Sequence, residues 1–188
     1  ALRGDTGAVI FTGTGDGPIY LDSLITPAVG DLDGDGQPEI VAPGRNDSRL
    51  YSFNNDGTLK WQSPLVTYKS NPVLVDLDAD GRSEILFGTS VFNFDGTLRW
   101  DRARQLPGYL GGSGGTPWTA SAQAVDLDLD GLPEIVAGPS ALDRDGNLIW
   151  WWRWQAFGNQ TIGTLDGGVT IVTLTLSTNL NDAWTAAA

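Results

Sequence analysis

One acidic pattern recurs three times in this chain and constrains its fold more than any other feature. Asp31-Leu-Asp-Gly-Asp-Gly-Gln-Pro-Glu39-Ile-Val, Asp76-Leu-Asp-Ala-Asp-Gly-Arg-Ser-Glu84-Ile-Leu and Asp126-Leu-Asp-Leu-Asp-Gly-Leu-Pro-Glu134-Ile-Val align without gaps. A second trio follows them: Phe53-Asn-Asn-Asp-Gly-Thr-Leu-Lys-Trp61, Phe92-Asn-Phe-Asp-Gly-Thr-Leu-Arg-Trp100 and Leu142-Asp-Arg-Asp-Gly-Asn-Leu-Ile-Trp150. The acidic motifs start 45 and then 50 residues apart. That period lies in the range of four-stranded propeller blades.

The flanks read as strands. Pro27-Ala-Val-Gly and Pro72-Val-Leu-Val lead into acidic loops, and Glu-Ile-Val or Glu-Ile-Leu leads out of each. Asp56-Gly57, Asp95-Gly96 and Asp145-Gly146 sit between short apolar runs, a hairpin signal because Gly accepts positive φ. No window keeps a 3.6-residue period, so little helix is expected. Each repeat therefore predicts two hairpins, giving an all-β chain of β-propeller blades with four antiparallel strands. A stacked β-solenoid is the alternative, although its rungs usually have shorter periods. Residues 1–17 read as the last hairpin of a preceding blade. Residues 18–62, 63–102 and 103–155 read as three repeats, and 156–188 as the start of a further blade or an edge strand, all in one domain. Three whole repeats cannot close a ring of four to eight blades, so an open or fragmentary propeller is expected.

Composition narrows the chemistry. The chain has 188 residues, no His, no Cys and a formal net charge of −12. Imidazole and thiol mechanisms are excluded, and so are nitrogen- or sulfur-ligated metal sites. What remains is oxygen coordination, which suits Ca²⁺ or Mg²⁺. Carboxylates at positions 1, 3 and 5 of each motif, with Gly at 6, aim several oxygens into one concavity. Ca²⁺ accepts six to eight such oxygens in flexible geometry, whereas Mg²⁺ prefers to keep waters. An EF-hand would close with Glu at position 12 between helices. Here position 12 is Ala42, Phe87 or Ala137, and the only three Glu of the chain all stand at position 9. The loops hold twelve of the 23 acids and one base, Arg82, leaving eleven acids against ten Lys and Arg elsewhere. The acidity is local to the loops, and without a basic excess neither nucleic acid nor an anionic membrane is an expected partner.

These three copies of Asp-x-Asp-x-Asp-Gly-x-x-Glu with a following aliphatic pair resemble the FG-GAP/VCBS repeats, related to the calcium-binding propeller of integrin α subunits. The resemblance covers about residues 18–155. It implies about three structural Ca²⁺ ions, one per loop. The ligands it implies are the side chains of Asp31, Asp33, Asp35 and Glu39, of Asp76, Asp78, Asp80 and Glu84, and of Asp126, Asp128, Asp130 and Glu134. Backbone carbonyls of Gln37, Arg82 and Leu132 complete the three sets. Glu stands where the family often has Asp, which changes denticity, and Arg82 brings a cation beside the second loop.

Other features have ordinary explanations. Trp150 matches Trp61 and Trp100 as a blade-packing residue, while Trp150, Trp152 and Trp154 share one face of an extended strand and suit either packing or stacking on sugar rings. Arg3-Gly4-Asp5 fits turn chemistry. Asn46-Asp-Ser48 and Asn159-Gln-Thr161 are glycosylation sequons expected at about chance frequency. Gly108 to Gly115 lacks the Lys-Ser/Thr of a phosphate loop and reads as a connector. Val169 to Leu176 is a Thr-rich strand, either of the next blade or at an edge that pairs with another chain. Tyr68-Lys69 and Arg102-Ala-Arg104 form no convergent catalytic set. The expectation is a calcium-stabilised extracellular or cell-surface module, not an enzyme, acting as scaffold or adhesion/recognition unit. Its expected partners are other copies of itself, or a cell-surface protein or glycan, with no membrane insertion. A polysaccharide lyase or lectin using the Trp-rich region is the alternative.

Overall fold

A computed structural model describes residues 2–10, 19–47, 49–66, 70–102, 122–137, 140–151, 160–165 and 168–173, the backbone alone at 151, 160–165 and 168–173. Short apolar runs bounded by Pro, Asp and Gly form strands, four to each repeat. The first sheet comprises β1 (Ala28–Gly30), β2 (Glu39–Pro43), β3 (Leu50–Phe53) and β4 (Leu59–Gln62). The second comprises β5 (Val73–Val75), β6 (Glu84–Phe87), β7 (Ser90–Phe92) and β8 (Leu98–Asp101). The third comprises β9 (Gln123–Val125), β10 (Glu134–Ala137), β11 (Ser140–Leu142) and β12 (Leu148–Trp151). All three are antiparallel with strands in chain order, and none closes into a barrel. A two-stranded hairpin of β13 (Gln160–Leu165) and β14 (Gly168–Thr173) follows, and it takes up Val169 to Thr173 of the expected Thr-rich strand. No helix occurs among the described residues. The all-β architecture is the expected one, with separate four-stranded blades in open arrangement.

The register repeats as the sequence does. Gly30 pairs with Glu39, Val75 with Glu84 and Val125 with Glu134, so each closing Glu begins a strand opposite the residue that precedes its acidic loop. Each loop is thereby pinned at both ends by a ladder. The second sheet is buried on both faces. Ile85, Phe87 and Phe92 pack with Leu32, Val41 and Leu50 toward the first sheet. Leu86, Val91 and Leu77 pack with Ile135, Ala137 and Leu142 toward the third. Strand alternation divides neighbouring residues of β6 between the two interfaces. Full burial of a side chain such as Phe87 stabilises by about 2–3 kcal/mol.

The Asp-Gly turns carry the sheets' second contact. Gly57, Gly96 and Gly146 have φ near +80° (87°, 81° and 79°), and each accepts the last position of a three-residue turn. The register then shifts between Ser52/Phe53, Val91/Phe92 and Ala141/Leu142, the mark of a bulge in each hairpin. Trp61 Nε1 donates to Phe94 O at 3.1 Å and Trp100 Nε1 to Arg144 O at 3.0 Å. Each ring lies against the Gly of the next sheet's turn, where a Cβ on Gly96 or Gly146 would fall 2.6 or 2.7 Å from indole carbons. Trp61 and Trp100 are therefore packing residues, as the repeat predicts. Arg3 and Asp5 pair with each other at 3.0 Å inside a turn closed by a Leu2–Val9 bridge. Trp152, Trp154, Gly108 to Gly115, Ser48, Asn159, Tyr68, Lys69, Arg104 and 174–176 lie outside the described residues.

Candidate metal centres

Each acidic loop is organised by its first carboxylate. Asp31 Oδ1 and Oδ2 accept from the amides of Gly34 and Gly36, both at 2.8 Å. Asp76 accepts from Asp80 and Gly81, and Asp126 from Asp130 and Gly131, at 2.9–3.1 Å. This folding-back needs left-handed backbone at position 6, which Gly36, Gly81 and Gly131 supply. Position 4 is left-handed as well, and only the first loop has Gly there; Ala79 and Leu129 take φ of 58° and 64°.

The ninth residue closes the loop from the strand side. One carboxylate oxygen of Glu39, Glu84 and Glu134 accepts from the amide of Leu32, Leu77 and Leu127, at 2.9, 3.0 and 2.7 Å. Glu39 and Glu84 are buried, 2% and 4% exposed. The longer Glu side chain reaches this amide with Oε2 while Oε1 remains for another partner.

Three carboxylates converge in each loop, those at positions 1, 3 and 9. They are Asp31, Asp33 and Glu39; Asp76, Asp78 and Glu84; and Asp126, Asp128 and Glu134, with ligand atoms within 4.8 Å of one another. Two oxygens held about 2.4 Å from one ion can be at most about 4.8 Å apart, so the spacing fits a shared hard cation. Asp35, Asp80 and Asp130 stand outside these groups. Each uses Oδ1 to accept from the amide two residues on, at 2.7–2.8 Å, and so shapes the turn.

In the first two loops, position 7 braces the loop against its own hairpin. Asn55 Nδ2 donates to Gln37 Oε1 at 2.7 Å, and the Arg82 guanidinium lies 4.6 Å from the centre of the Phe94 ring. The cation that reaches the second triad is not Arg82 but Arg99. Arg99 Nη1 is 3.0 Å from Asp78 Oδ2 and 3.5 Å from Glu84 Oε1. In the first loop Lys60 Nζ sits 2.7 Å from Asp33 Oδ2 and 2.8 Å from Glu39 Oε1. Sequence reasoning missed both cations, although each is the residue before the hairpin Trp in a repeat already aligned.

The charges respond accordingly. The Lys60 hydrogen bond holds the Asp33 carboxyl below its ordinary value. Burial pulls the Lys60 ammonium down, but Asp33 and Glu39 outweigh it and raise it. Burial pushes the Glu84 carboxyl up, and the neighbouring Asp78 and Asp80 add to this against the Leu77 amide and Arg99. A buried acid with raised affinity for a proton is one that a dication would stabilise.

Residues 31–87 match the FG-GAP-like repeat family. No curated protein matches the chain. Among solved structures, the biofilm matrix protein Bap1 of V. cholerae is similar at TM-score 0.65 and 23% identity, over 82% of this chain and 25% of that one. The exotype rhamnogalacturonan lyase YesX is similar at TM-score 0.68 and 17% identity, over 98% of this chain and 35% of that one. At these identities the likeness is one of fold, and the chain spans only a quarter to about a third of either protein.

Proposed function

With FG-GAP-like repeats over residues 31–87 as the premise, we propose that the chain is a calcium-stabilised extracellular module acting as a scaffold or adhesion/recognition unit. The observation that carries this reading is the recurrence of one acid triad per sheet, at one register, three times. A catalytic metal is normally unique and keeps an open position, whereas a structural ion repeats with the element it secures. In each loop the first, third and ninth side chains would hold the ion. The resemblance to FG-GAP/VCBS repeats implies that a ligand from Gln37, Arg82 or Leu132 would be the backbone carbonyl. Calcium supplies charge neutralisation for a buried Glu and adds its binding free energy to folding. Extracellular calcium is millimolar, where modules with Kd of about 10⁻⁴–10⁻³ M are filled. Among the described residues no helix is long and apolar enough to cross a membrane. Fold likeness to a biofilm matrix protein supports the scaffold role, with other copies of the chain or a surface glycan as partner.

The second reading is the propeller portion of a carbohydrate-active protein. Fold likeness to a rhamnogalacturonan lyase and the 40% exposed Trp150 favour it. The two readings separate in one experiment on calcium-loaded protein incubated with rhamnogalacturonan. The scaffold reading expects no unsaturated product and concentration-dependent self-association by sedimentation. Formation of a double bond in the polysaccharide would overturn it in favour of the lyase.

A further inference from the structure

The three triads differ in what already lies between their oxygens. Lys60, Arg99 and Ile149 hold equivalent places, one residue before Trp61, Trp100 and Trp150. Each is the extra residue of its hairpin bulge: Ser52 pairs with Trp61 and Phe53 with Leu59, Val91 with Trp100 and Phe92 with Leu98, Ala141 with Trp150 and Leu142 with Leu148. A bulge re-aims the side chain of the residue it inserts. In the first two sheets that side chain ends on the acidic loop, with Lys60 Nζ on Asp33 and Glu39 and Arg99 Nη1 on Asp78 and Glu84. In the third sheet it is Ile149, half exposed, and no described Lys or Arg pairs with Asp126, Asp128 or Glu134.

We infer that the residue at the bulge grades the three metal sites: Lys60 and Arg99 are tethered cations that compete with calcium, and Ile149 leaves the third loop as the tightest site. The inference rests on the calcium reading above. Lys60 engages one oxygen each of Asp33 and Glu39, two of the three groups that would bind the ion. A dication entering the first loop must take those oxygens and expel the ammonium along its flexible stem. Like charges a few ångströms apart in a partly buried site repel strongly, so the two cations do not share the triad. Lys60 and Arg99 also neutralise their acids when metal is absent, which keeps the first two sheets folded at low calcium. The third loop has no such substitute among the described residues. It gains most from the ion and yields it last.

The test is calorimetric titration of calcium into the 188-residue chain after metal removal, beside Lys60→Met, Lys60→Arg and Ile149→Lys. Wild type is expected to show one tight and two weaker sites. Lys60→Met converts a weak site into a second tight one, about tenfold tighter, and Lys60→Arg behaves as wild type. Ile149→Lys weakens the tight site about tenfold. Melting in chelator moves the other way, lower for Lys60→Met and higher for Ile149→Lys, which a merely damaged fold would not reproduce. If Lys60→Met does not fold without metal, Ile149→Lys decides alone. Three equal sites in wild type, with neither substitution changing affinity, would overturn the inference and leave the calcium reading intact. No calcium binding by any of the proteins would overturn both.

Discussion

Leu129 shows how tightly the loop dictates its own backbone. It adopts φ of 64° while 70% exposed, so no packing compensates the left-handed strain. The equivalent Gly34 of the first loop adopts φ of 77° without that strain. Leu129→Gly should therefore stabilise the protein, by about 0.5–1 kcal/mol after allowing for the greater freedom of unfolded Gly. A higher melting temperature checks this, and a lower one would show that the leucine side chain contributes contacts. The hairpin aspartates carry a pH signature. The Thr97 hydroxyl, and then its amide, hold the Asp95 carboxyl below its ordinary value, with distances of 2.6 and 3.0 Å. A depressed carboxyl stabilises the fold above its unfolded pKa and loses that contribution as pH falls through its folded value. Thr97→Val should cost about 0.5–1 kcal/mol at pH 7, small because the turn faces solvent. The difference from wild type should shrink below pH of about 4. A difference that stays constant down to pH 3 would contradict the assignment.

At the scale of the element, the hairpin joins sheets through its turn. Trp61 covers Gly96 of the next sheet, and Trp100 covers Gly146. Gly96→Ala adds a methyl 2.6 Å from the indole and strains a residue at φ of 81°, so it should destabilise by about 2–3 kcal/mol. Denaturant unfolding measures this, and a loss under 0.5 kcal/mol would mean that the Trp is free to move. Much of the site was legible in the sequence because a repeat displays its constants: Asp31, Asp33 and Glu39 recur with their spacing, and the structure brings those three positions together. Asp35, Asp80 and Asp130 recur equally, and in the structure the Oδ1 of each accepts from the amide two residues on, outside the triad. Lys60 and Arg99 were hidden for a different reason. Strict alternation assigns the faces of a strand by counting, and a bulge resets the count at the residue that matters.

For the whole molecule, the repeat made the blades readable but not the contacts between them. Trp61 meets a carbonyl 33 residues away and Trp100 one 44 residues away, distances over which no local periodicity speaks. Neighbouring acidic loops also touch: Ser83 N donates to Leu32 O at 2.9 Å, and Gly34 lies against the Gly81 carbonyl. Pro133 replaces Ser83 in the third loop and has no amide to repeat the bond. The net charge of −12 is concentrated in these adjoining loops, so removing metal should be felt by the sheets together. The most direct measurement is scanning calorimetry of the chain in chelator and in calcium at about ten times the Kd of its weaker sites. Each filled site should add at least about 1.4 kcal/mol by linkage. Three sites raise the melting temperature by roughly 10 °C in a chain of this size. An unchanged melt after complete metal removal would contradict a structural role for the ion.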